Sequence, residues 1–186
     1  MTNYERKSEL TTNLTNTSLS ALTNETYKGH RMPMRLWDEI APGLWQGGTD
    51  STDTVRTQRF GSGAFITPED FDVVVTMYSS AQPVDWWVKE IRFGIYDSDM
   101  TDFDIEDLRD IVLVAHSNWK RGKRVLVRCQ AGLNRSGIVT ALVLIREGYS
   151  AEEAIQLVKD NRGSAALTNE HFNEWLLSID PQDWRK

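Results

Sequence analysis

The chain of 186 residues contains one cysteine, Cys129. A single cysteine excludes an internal disulfide and suits a reducing compartment, so we expect a cytoplasmic protein. No apolar run approaches the roughly 20 residues of a membrane-spanning helix. The first residues also lack the charged-then-apolar pattern of a secretory signal. These absences predict a protein that has no membrane partner.

Positive charge is scarce, and the formal net charge is −6 at pH 7. A chain with this balance has no bulk attraction for nucleic acid, so we expect no nucleic-acid partner. A phosphorylated ligand would also be repelled at long range, so any anion site must be built locally. No cluster of side chains has metal-ligand spacing, and we expect neither a metal nor another cofactor.

The remaining composition is that of a soluble globular protein, with 40% apolar and 26% charged residues. Residues 1–30 are rich in Thr, Asn and Ser and poor in large apolar side chains. We predict that they form a disordered tail that is dispensable for chemistry. Residues 31–186 are long enough for one domain with a real core.

The hydrophobic pattern alternates between strands and helices, which predicts an α/β fold with a central, mostly parallel sheet flanked by helices. Predicted strands lie at 71–78, 90–96 and 124–129, with a short strand leading into turns at 34–48 and a loop or short helix at 49–70. Four helices are predicted. The first two lie at 104–122 and 136–148. The third begins at a Ser150–Glu153 capping box and ends near Gly163, and the fourth is marked by Phe172, Trp175, Leu176 and Ile179.

The segment CQAGLNRS, residues 129–136, lies between a predicted buried strand and a predicted buried helix. Cys129 therefore stands at the carboxyl end of a strand, where α/β folds place their ligand sites. Gly132 permits a tight loop, whose N–H groups can turn inward at the start of the helix. Arg135 adds a permanent, two-pronged positive charge. This combination predicts a site for a tetrahedral dianion.

The same amide groups and guanidinium favour the thiolate of Cys129 over the thiol, and a thiolate beneath a bound phosphate is an in-line nucleophile. A lone cysteine in a buried strand is more often a small hydrophobic residue, but that interpretation ignores the loop. A cysteine protease would need a histidine base, and it would leave Gly132 and Arg135 unexplained.

CQAGLNRS matches the Cys-x5-Arg-Ser/Thr signature of the protein tyrosine phosphatase superfamily, and residues 34–180 resemble its dual-specificity branch. The resemblance implies a strand, phosphate-binding loop and helix as the core of the site. It implies catalysis by Cys129, Arg135 and Asp97 through a phosphocysteine intermediate, without a metal. The phosphate-binding residues that it implies are Gln130, Ala131, Gly132, Leu133, Asn134, Arg135 and Ser136.

The segment IYDSDMTDFD resembles the general-acid loop of that branch, and it offers Asp97 and Asp99, which lie 32 and 30 residues before Cys129. Asp97 continues the inward phase of the preceding strand and is its first acid, so we favour Asp97. One position departs from the family, which usually has histidine before the cysteine, where this chain has Arg128.

The resemblance implies a phosphatase acting on phosphotyrosine in proteins, with or without phosphoserine and phosphothreonine. One alternative is a non-protein phosphomonoester, such as an inositol lipid, an RNA 5′-phosphate or a sugar phosphate. The absence of lysine between Cys129 and Arg135 argues against a highly phosphorylated ligand. Another alternative is a catalytically silent phosphate-binding module. The sequence leaves the oligomeric state open.

Overall fold

A five-stranded sheet forms the centre of this computed structural model, which describes residues 26–49, 65–101 and 104–186. The strands are β1 (Thr26–Tyr27), β2 (His30–Arg31), β3 (Trp37–Ala41), β4 (Leu44–Gly47), β5 (Val73–Thr76), β6 (Lys89–Arg92) and β7 (Val125–Arg128). The main sheet has the order β3-β4-β7-β5-β6, and β1 and β2 form a separate hairpin. Only the β3–β4 pair of the main sheet is antiparallel. The predicted mostly parallel sheet is confirmed.

Strand β7 lies in the middle of the sheet, hydrogen-bonded to β4 on one side and β5 on the other. All four of its residues are buried, which explains the continuous apolar run VLV in the sequence. The chain leaves β7 at its carboxyl end directly into Cys129.

Four helices pack against one face of the sheet in a single large apolar cluster. They are α1 (Ile105–Lys120), α2 (Arg135–Glu147), α3 (Ala151–Arg162) and α4 (Glu170–Ser178). Residues 136–145 of α2 are all buried, as the uniformly apolar pattern predicted. The four predicted helices are thus confirmed. None of the described helices has the length and apolarity that crossing a membrane requires.

Side-chain caps define where three of these helices begin, whereas α2 follows Asn134 without one. Asp104 accepts a hydrogen bond from the N–H of Glu106 at 2.8 Å. Ser150 and Glu153 form the predicted capping box, with both reciprocal bonds present. Asn169 caps α4 by accepting from the N–H of His171 at 3.0 Å.

Two strands differ from their predicted form. Residues 34–48 contain two antiparallel strands rather than one, because Pro42 and Gly43 turn the chain tightly, with φ of 83° at Gly43. The strand predicted at 90–96 ends at Arg92, since its partner β5 ends at Thr76 and offers no further pairing. Most of the loop or short helix predicted at 49–70 lies outside the described residues.

The N-terminal boundary also differs. Residues 26–31 form the β1–β2 hairpin, in which Tyr27 pairs with His30. Lys28 and Gly29 both have positive φ, as a tight two-residue hairpin turn requires. The predicted tail therefore extends five residues too far, since residues 26–30 belong to the hairpin. For residues 1–25, outside the described part, it stays a prediction.

A partly buried charge network lies at the carboxyl end of the sheet near β6. The Glu90 carboxylate lies 3.0 Å from the Arg128 guanidinium and 2.9 Å from that of Arg92, and Thr76 donates to it at 2.6 Å. Burial alone would raise the pKa of Glu90. The Thr76 hydrogen bond and the two guanidinium charges outweigh burial and lower that pKa below its ordinary value of 4.5.

The network also holds the loop that follows β5. Arg92 donates to the carbonyl of Ser79 at 3.1 Å and to that of Ala81 at 2.7 Å. Arg128 donates to the carbonyl of Gln82 at 2.6 Å. One carboxylate thus neutralises two cations that fix the backbone of this loop.

We expect Glu90→Gln to destabilise the fold by about 3 kcal/mol at neutral pH, because it leaves buried Arg128 without a counter-charge. A folded-state pKa below the unfolded one contributes stability that is lost as pH falls. The difference between the two proteins should therefore shrink below about pH 4.5. Chemical denaturation across pH measures this.

Glu106→Gln is the matched control, because Glu106 pairs with Arg109 on the surface, with 75% of its side chain exposed. This control should change stability little. Equal effects of the two substitutions would contradict the role of the Glu90 network.

Candidate active site

A cleft of about 650 Å³ opens beyond the carboxyl ends of β5 and β7. Cys129, Arg135 and Asp97 all line it, so the structure brings together the three residues predicted to be catalytic. Of the residues between Cys129 and Arg135, those lining the cleft are Gln130, Ala131, Leu133 and Asn134. Gly132 and Ser136 lie behind this surface. We call residues 129–136 the signature loop.

Cys129 lies at the bottom of the cleft with 2% of its surface exposed. Its N–H donates to the carbonyl of Gly47 at 3.1 Å, which extends the β4–β7 pairing by one residue. Its Sγ lies 3.3 Å from the Oγ of Ser136, on the first turn of α2. The sulfur is thus held between the end of the sheet and the start of a helix.

The carbonyl groups of residues 130–133 in the signature loop all accept hydrogen bonds from residues behind the loop. Gln46 donates to the carbonyls of Gly132 and Leu133 at 3.1 and 3.3 Å. Arg162 donates to the carbonyl of Gly132 at 3.0 Å and to that of Ala131 at 3.4 Å. The carbonyl of Gln130 accepts from the N–H of Thr49 at 3.1 Å.

Arg162 is itself fixed by a buried ion pair. Its guanidinium lies 2.6 Å from the Asp38 carboxylate and donates to the carbonyl of Arg35 at 2.8 Å. Burial lowers the pKa of Arg162, and the charge and hydrogen bond of Asp38 act against that shift. Arg162 thus places a neutralised cation underneath the loop, close to the sulfur.

Carbonyls bound from behind leave the amide N–H groups facing the other way. Among the described residues, the N–H groups of residues 131–134 meet no hydrogen-bond acceptor. Successive N–H groups at a helix start form an anion-binding nest. The predicted cradle for a tetrahedral anion stays a prediction, with which these unpaired N–H groups agree.

Gly132 makes this loop shape possible. Its φ is 71°, and an added Cβ would lie 2.2 Å from the carbonyl carbon of Gly47. Gly48 faces the same junction, where a Cβ would lie 2.9 Å from the carbonyl oxygen of Gln130. The glycines of the sequence WQGG thus serve the close approach of β4 to the signature loop.

Arg135 differs from the buried arginines of this protein. Arg128 and Arg162 each pair with a carboxylate, whereas Arg135 has no salt bridge to any described residue. Its guanidinium makes only long hydrogen bonds, to the carbonyl of Ile95 at 3.5 Å and the side chain of Gln130 at 3.4 Å. It lies 5.3 Å from the centre of the Tyr78 ring. A half-buried cation in this setting favours an anionic ligand.

The two candidate acids have different surroundings. Asp97 accepts hydrogen bonds from the Asn134 and Asn169 amides at 3.0 and 2.8 Å, and it lines the cleft with Cys129. Asp99 lines a neighbouring cleft and turns back to Thr101, 2.5 Å away. Hydrogen bonds from the hydroxyl and N–H of Thr101 lower the pKa of Asp99. The geometry thus favours Asp97 over Asp99.

Asn134 and Asn169 connect the acid to the signature loop. The side-chain oxygen of Asn134 accepts hydrogen bonds from the N–H groups of Thr168 and Asn169 at 2.8 and 3.1 Å. The side-chain NH2 group of Asn134 donates to Asp97. Sequence reasoning missed this connection, as it missed Gln46 and Arg162. In the sequence, Asn169 has the pattern of a helix cap. Gln46, Asn134 and Arg162 look like ordinary residues of a strand, a loop and a helix end.

Arg128, which replaces the usual histidine, points away from the cleft. Its guanidinium is bound by Glu90, Thr76 and the Gln82 carbonyl on the far face of the sheet. This matches strand alternation, which places residues 128 and 129 on opposite faces. Arg128 therefore holds the loop after β5 and does not line the cleft.

Residues 66–182, well over half of the chain, match the family described as dual specificity phosphatase, catalytic domain. The chain belongs to this family. The predicted class, a cysteine-dependent phosphatase of the protein-tyrosine and dual-specificity type, is thereby confirmed.

Two relatives show the extent of the similarity to this dual-specificity domain. Protein 123R of Invertebrate iridescent virus 6, named as a candidate tyrosine phosphatase, is 32% identical over 98 residues, covering 49% of this chain and 68% of that protein. Dual specificity protein phosphatase 26 of Rattus norvegicus is 25% identical over 154 residues, covering 77% of this chain and 66% of that protein. The chain thus spans about two thirds of each relative's length.

The fold is also that of solved dual-specificity structures. Human DUSP28 superposes with a TM-score of 0.60 at 23% identity, covering 81% of this chain and 93% of that chain. At this identity the similarity supports the fold alone. The mixed sheet with helices packed against it is therefore the one predicted from the sequence.

We expect Gly132→Ala to abolish phosphate binding and to destabilise the fold, because its Cβ would collide with Gly47 and distort the loop. Gly122→Ala is the matched control, since Gly122 also has a positive φ, 77°, but nothing lies within 4 Å of its added Cβ. The control carries only backbone strain, about 1 kcal/mol. Thermal unfolding with and without phosphate measures both effects. Phosphate protection of the Gly132→Ala variant would contradict this account of the loop.

Proposed function

We propose that this protein hydrolyses phosphotyrosine in proteins, through a phosphocysteine intermediate formed on Cys129. The observation that carries the proposal is Arg135, a half-buried cation without a carboxylate partner among the described residues, beside a buried cysteine and a nest of N–H groups. These three features match a phosphate dianion in charge and shape. A single cysteine nucleophile works only as a reduced thiol, which supports a cytoplasmic setting.

In the first step, the Sγ of Cys129 attacks phosphorus, and the bond from phosphorus to the leaving oxygen breaks. Asp97 gives its proton to that oxygen, so the product leaves as a neutral alcohol. Charge builds on the three equatorial oxygens of the transition state. The loop N–H groups and the fork of Arg135 stabilise this charge.

In the second step, the Asp97 carboxylate takes a proton from water as the water oxygen attacks phosphorus. The phosphorus–sulfur bond breaks, and its electrons return to Cys129 as a thiolate. Ser136, with its Oγ 3.3 Å from the sulfur, can donate a hydrogen bond to that thiolate. Phosphate is released, and Asp97 is again protonated.

The walls of the cleft support an aromatic leaving group. Tyrosines from three separate segments line it: Tyr27, Tyr78 and Tyr96. Arg135 is the only Lys or Arg among the described residues that line the cleft. One cation suits one phosphate group, so an inositol ring with several phosphates is less well matched. A silent phosphate-binding module would not need an acid, yet Asp97 lines the same cleft.

A substrate panel tests the proposed class. Phosphotyrosine peptides should be turned over with the highest kcat/KM, ahead of phosphoserine and phosphothreonine peptides, inositol phosphates, sugar phosphates and RNA 5′-phosphates. A preference for any of the non-protein substrates would replace phosphotyrosine with that substrate in the proposal.

Cys129→Ser should reduce turnover of an aryl phosphate by about 1,000-fold or more, because the nucleophile is lost. The variant should still bind phosphate, since the loop N–H groups and Arg135 remain. Steady-state kinetics and calorimetric titration with phosphate measure the two properties. Residual turnover within tenfold of the parent protein would rule out the covalent mechanism.

Asp97→Asn should slow hydrolysis of phosphotyrosine by about 100-fold, with a smaller effect on p-nitrophenyl phosphate, whose leaving group needs less protonation. Asp99→Asn is the matched control, because it lies two residues along the same loop but lines the neighbouring cleft. If the Asp99 variant alone shows the dependence on leaving group, Asp99 is the acid. If neither variant shows it, the proton comes from outside this loop.

A further inference from the structure

The guanidinium of Arg135 lies over the ring of Tyr78 on the wall of the cleft. Its central carbon is 5.3 Å from the ring centre, within the range of a cation–π interaction. Its hydrogen bonds to the Ile95 carbonyl and the Gln130 side chain are long, 3.5 and 3.4 Å, and its Nε meets no acceptor among the described residues. Because hydrogen bonds of this length are weak, the ring is a principal restraint on the position of this cation.

The Tyr78 side chain is packed firmly enough to act as a restraint. It belongs to the main apolar cluster, and only 6% of its surface is exposed. Its hydroxyl is buried and has no hydrogen-bond partner among the described residues. Since a buried hydroxyl without a partner lowers stability, what this residue contributes to the structure comes from its ring.

The backbone around Tyr78 is fixed by the Glu90 network. Arg92, which pairs with Glu90, donates to the carbonyls of Ser79 and Ala81 at 3.1 and 2.7 Å. The N–H of Ala81 donates back to the carbonyl of Tyr78 at 3.3 Å. The fold itself therefore determines where the ring lies, without help from a ligand.

An aromatic ring differs from a carboxylate in what it leaves for a ligand. Arg128 and Arg162 are held by carboxylates, which neutralise their charge. A ring attracts a guanidinium through its quadrupole and carries no net charge. Arg135, held by a ring, therefore keeps its full positive charge and its donors for a phosphate.

A restrained guanidinium binds an anion better than a mobile one. An arginine side chain has several rotatable bonds, so ordering it on binding costs free energy. A donor that is held in place beforehand avoids this cost, and it needs no rearrangement when charge develops in a transition state. The benefit therefore extends from phosphate affinity to the rate of phosphate hydrolysis.

We propose that Tyr78 is a positioning residue, whose ring holds the Arg135 guanidinium in the orientation that binds the phosphate group. Tyr78 acts through Arg135 and takes no part in bond making or breaking. This inference rests on the proposed function, since it names what orients the cation of that site.

Two substitutions in the full chain separate the ring from the hydroxyl. Tyr78→Leu removes the ring and should weaken the binding of inorganic phosphate about 3- to 30-fold, the range that a cation–π interaction supplies. The kcat/KM for p-nitrophenyl phosphate should fall by at least the same factor. Tyr78→Phe keeps the ring and should restore both values to within twofold of the parent protein. Calorimetric titration and steady-state kinetics measure these effects.

Trp184→Leu is the matched control for the loss of a buried aromatic ring. Trp184 is 3% exposed, and its ring centre lies 5.5 Å from the guanidinium carbon of Arg109, but it is not among the described residues that line the cleft. This variant should unfold at a lower temperature and leave phosphate affinity unchanged.

The side-chain signal of Arg135 in proton–nitrogen correlation spectra gives a readout that does not depend on ligand binding. Its absence from the spectrum of Arg135→Lys assigns it. Because an aromatic ring shifts the signals of groups above it, Tyr78→Leu should move this signal, and Tyr78→Phe should leave it nearly in place. Trp184→Leu should not move it.

Three results would overturn the inference: a phosphate affinity of Tyr78→Leu equal to that of the parent, equal losses in Tyr78→Leu and Tyr78→Phe, or an equal loss in Trp184→Leu. The second would assign the role to the hydroxyl, and the third would show a general effect of lost stability. The proposed function fails differently, since a parent protein that binds phosphate without hydrolysing aryl phosphates contradicts the activity, whereas the phosphate affinities still test Tyr78.

Discussion

The site depends on hydrogen bonds made behind the signature loop rather than on those facing the cleft. Gln46 and Arg162 hold the carbonyls of residues 131–133, and the N–H groups of residues 131–134 meet no acceptor in the described part of the chain. Without such support the loop would relax, because its carbonyl groups would turn into the cleft and displace the N–H groups from it. Gly132 permits the shape, and the two supporting side chains stabilise it. Preorganised donors of this kind need no rearrangement when charge develops on a phosphate.

The buried arginines have carboxylate partners, whereas the half-buried Arg135 has none among the described residues. Arg128 and Arg162 are nearly inaccessible, and each has a carboxylate partner within 3.0 Å. Both hold backbone carbonyls, one in the loop after β5 and the other in the signature loop. Arg135 has no carboxylate partner in the described part of the chain, and it faces the cleft. Arg135 is thus a local positive charge in a chain whose net charge of −6 repels anions at long range.

Three segments far apart in sequence meet at Asp97. The acid loop supplies the carboxylate, the signature loop supplies Asn134, and the start of α4 supplies Asn169. The N-terminal hairpin adds Tyr27 to the same cleft. Hydrogen bonds among Asp97, Asn134 and Asn169 hold the three segments together.

Short-range patterns in the sequence were sufficient to predict the local units of this protein. The run VLV, the buried helix after residue 135 and the Ser150–Glu153 capping box are short-range patterns with a direct physical cause, and each predicted its element correctly. The CQAGLNRS motif places nucleophile, loop and arginine within eight residues, so its candidate site was also visible. Tertiary structure alone decided what lies around that motif. The bonds from Gln46 and Arg162 to the Gly132 carbonyl span 86 and 30 residues of sequence. No periodicity records contacts over such distances, since they depend on how strands and helices pack. The sequence also could not decide between Asp97 and Asp99, because their positions depend on the path of the loop that follows β6.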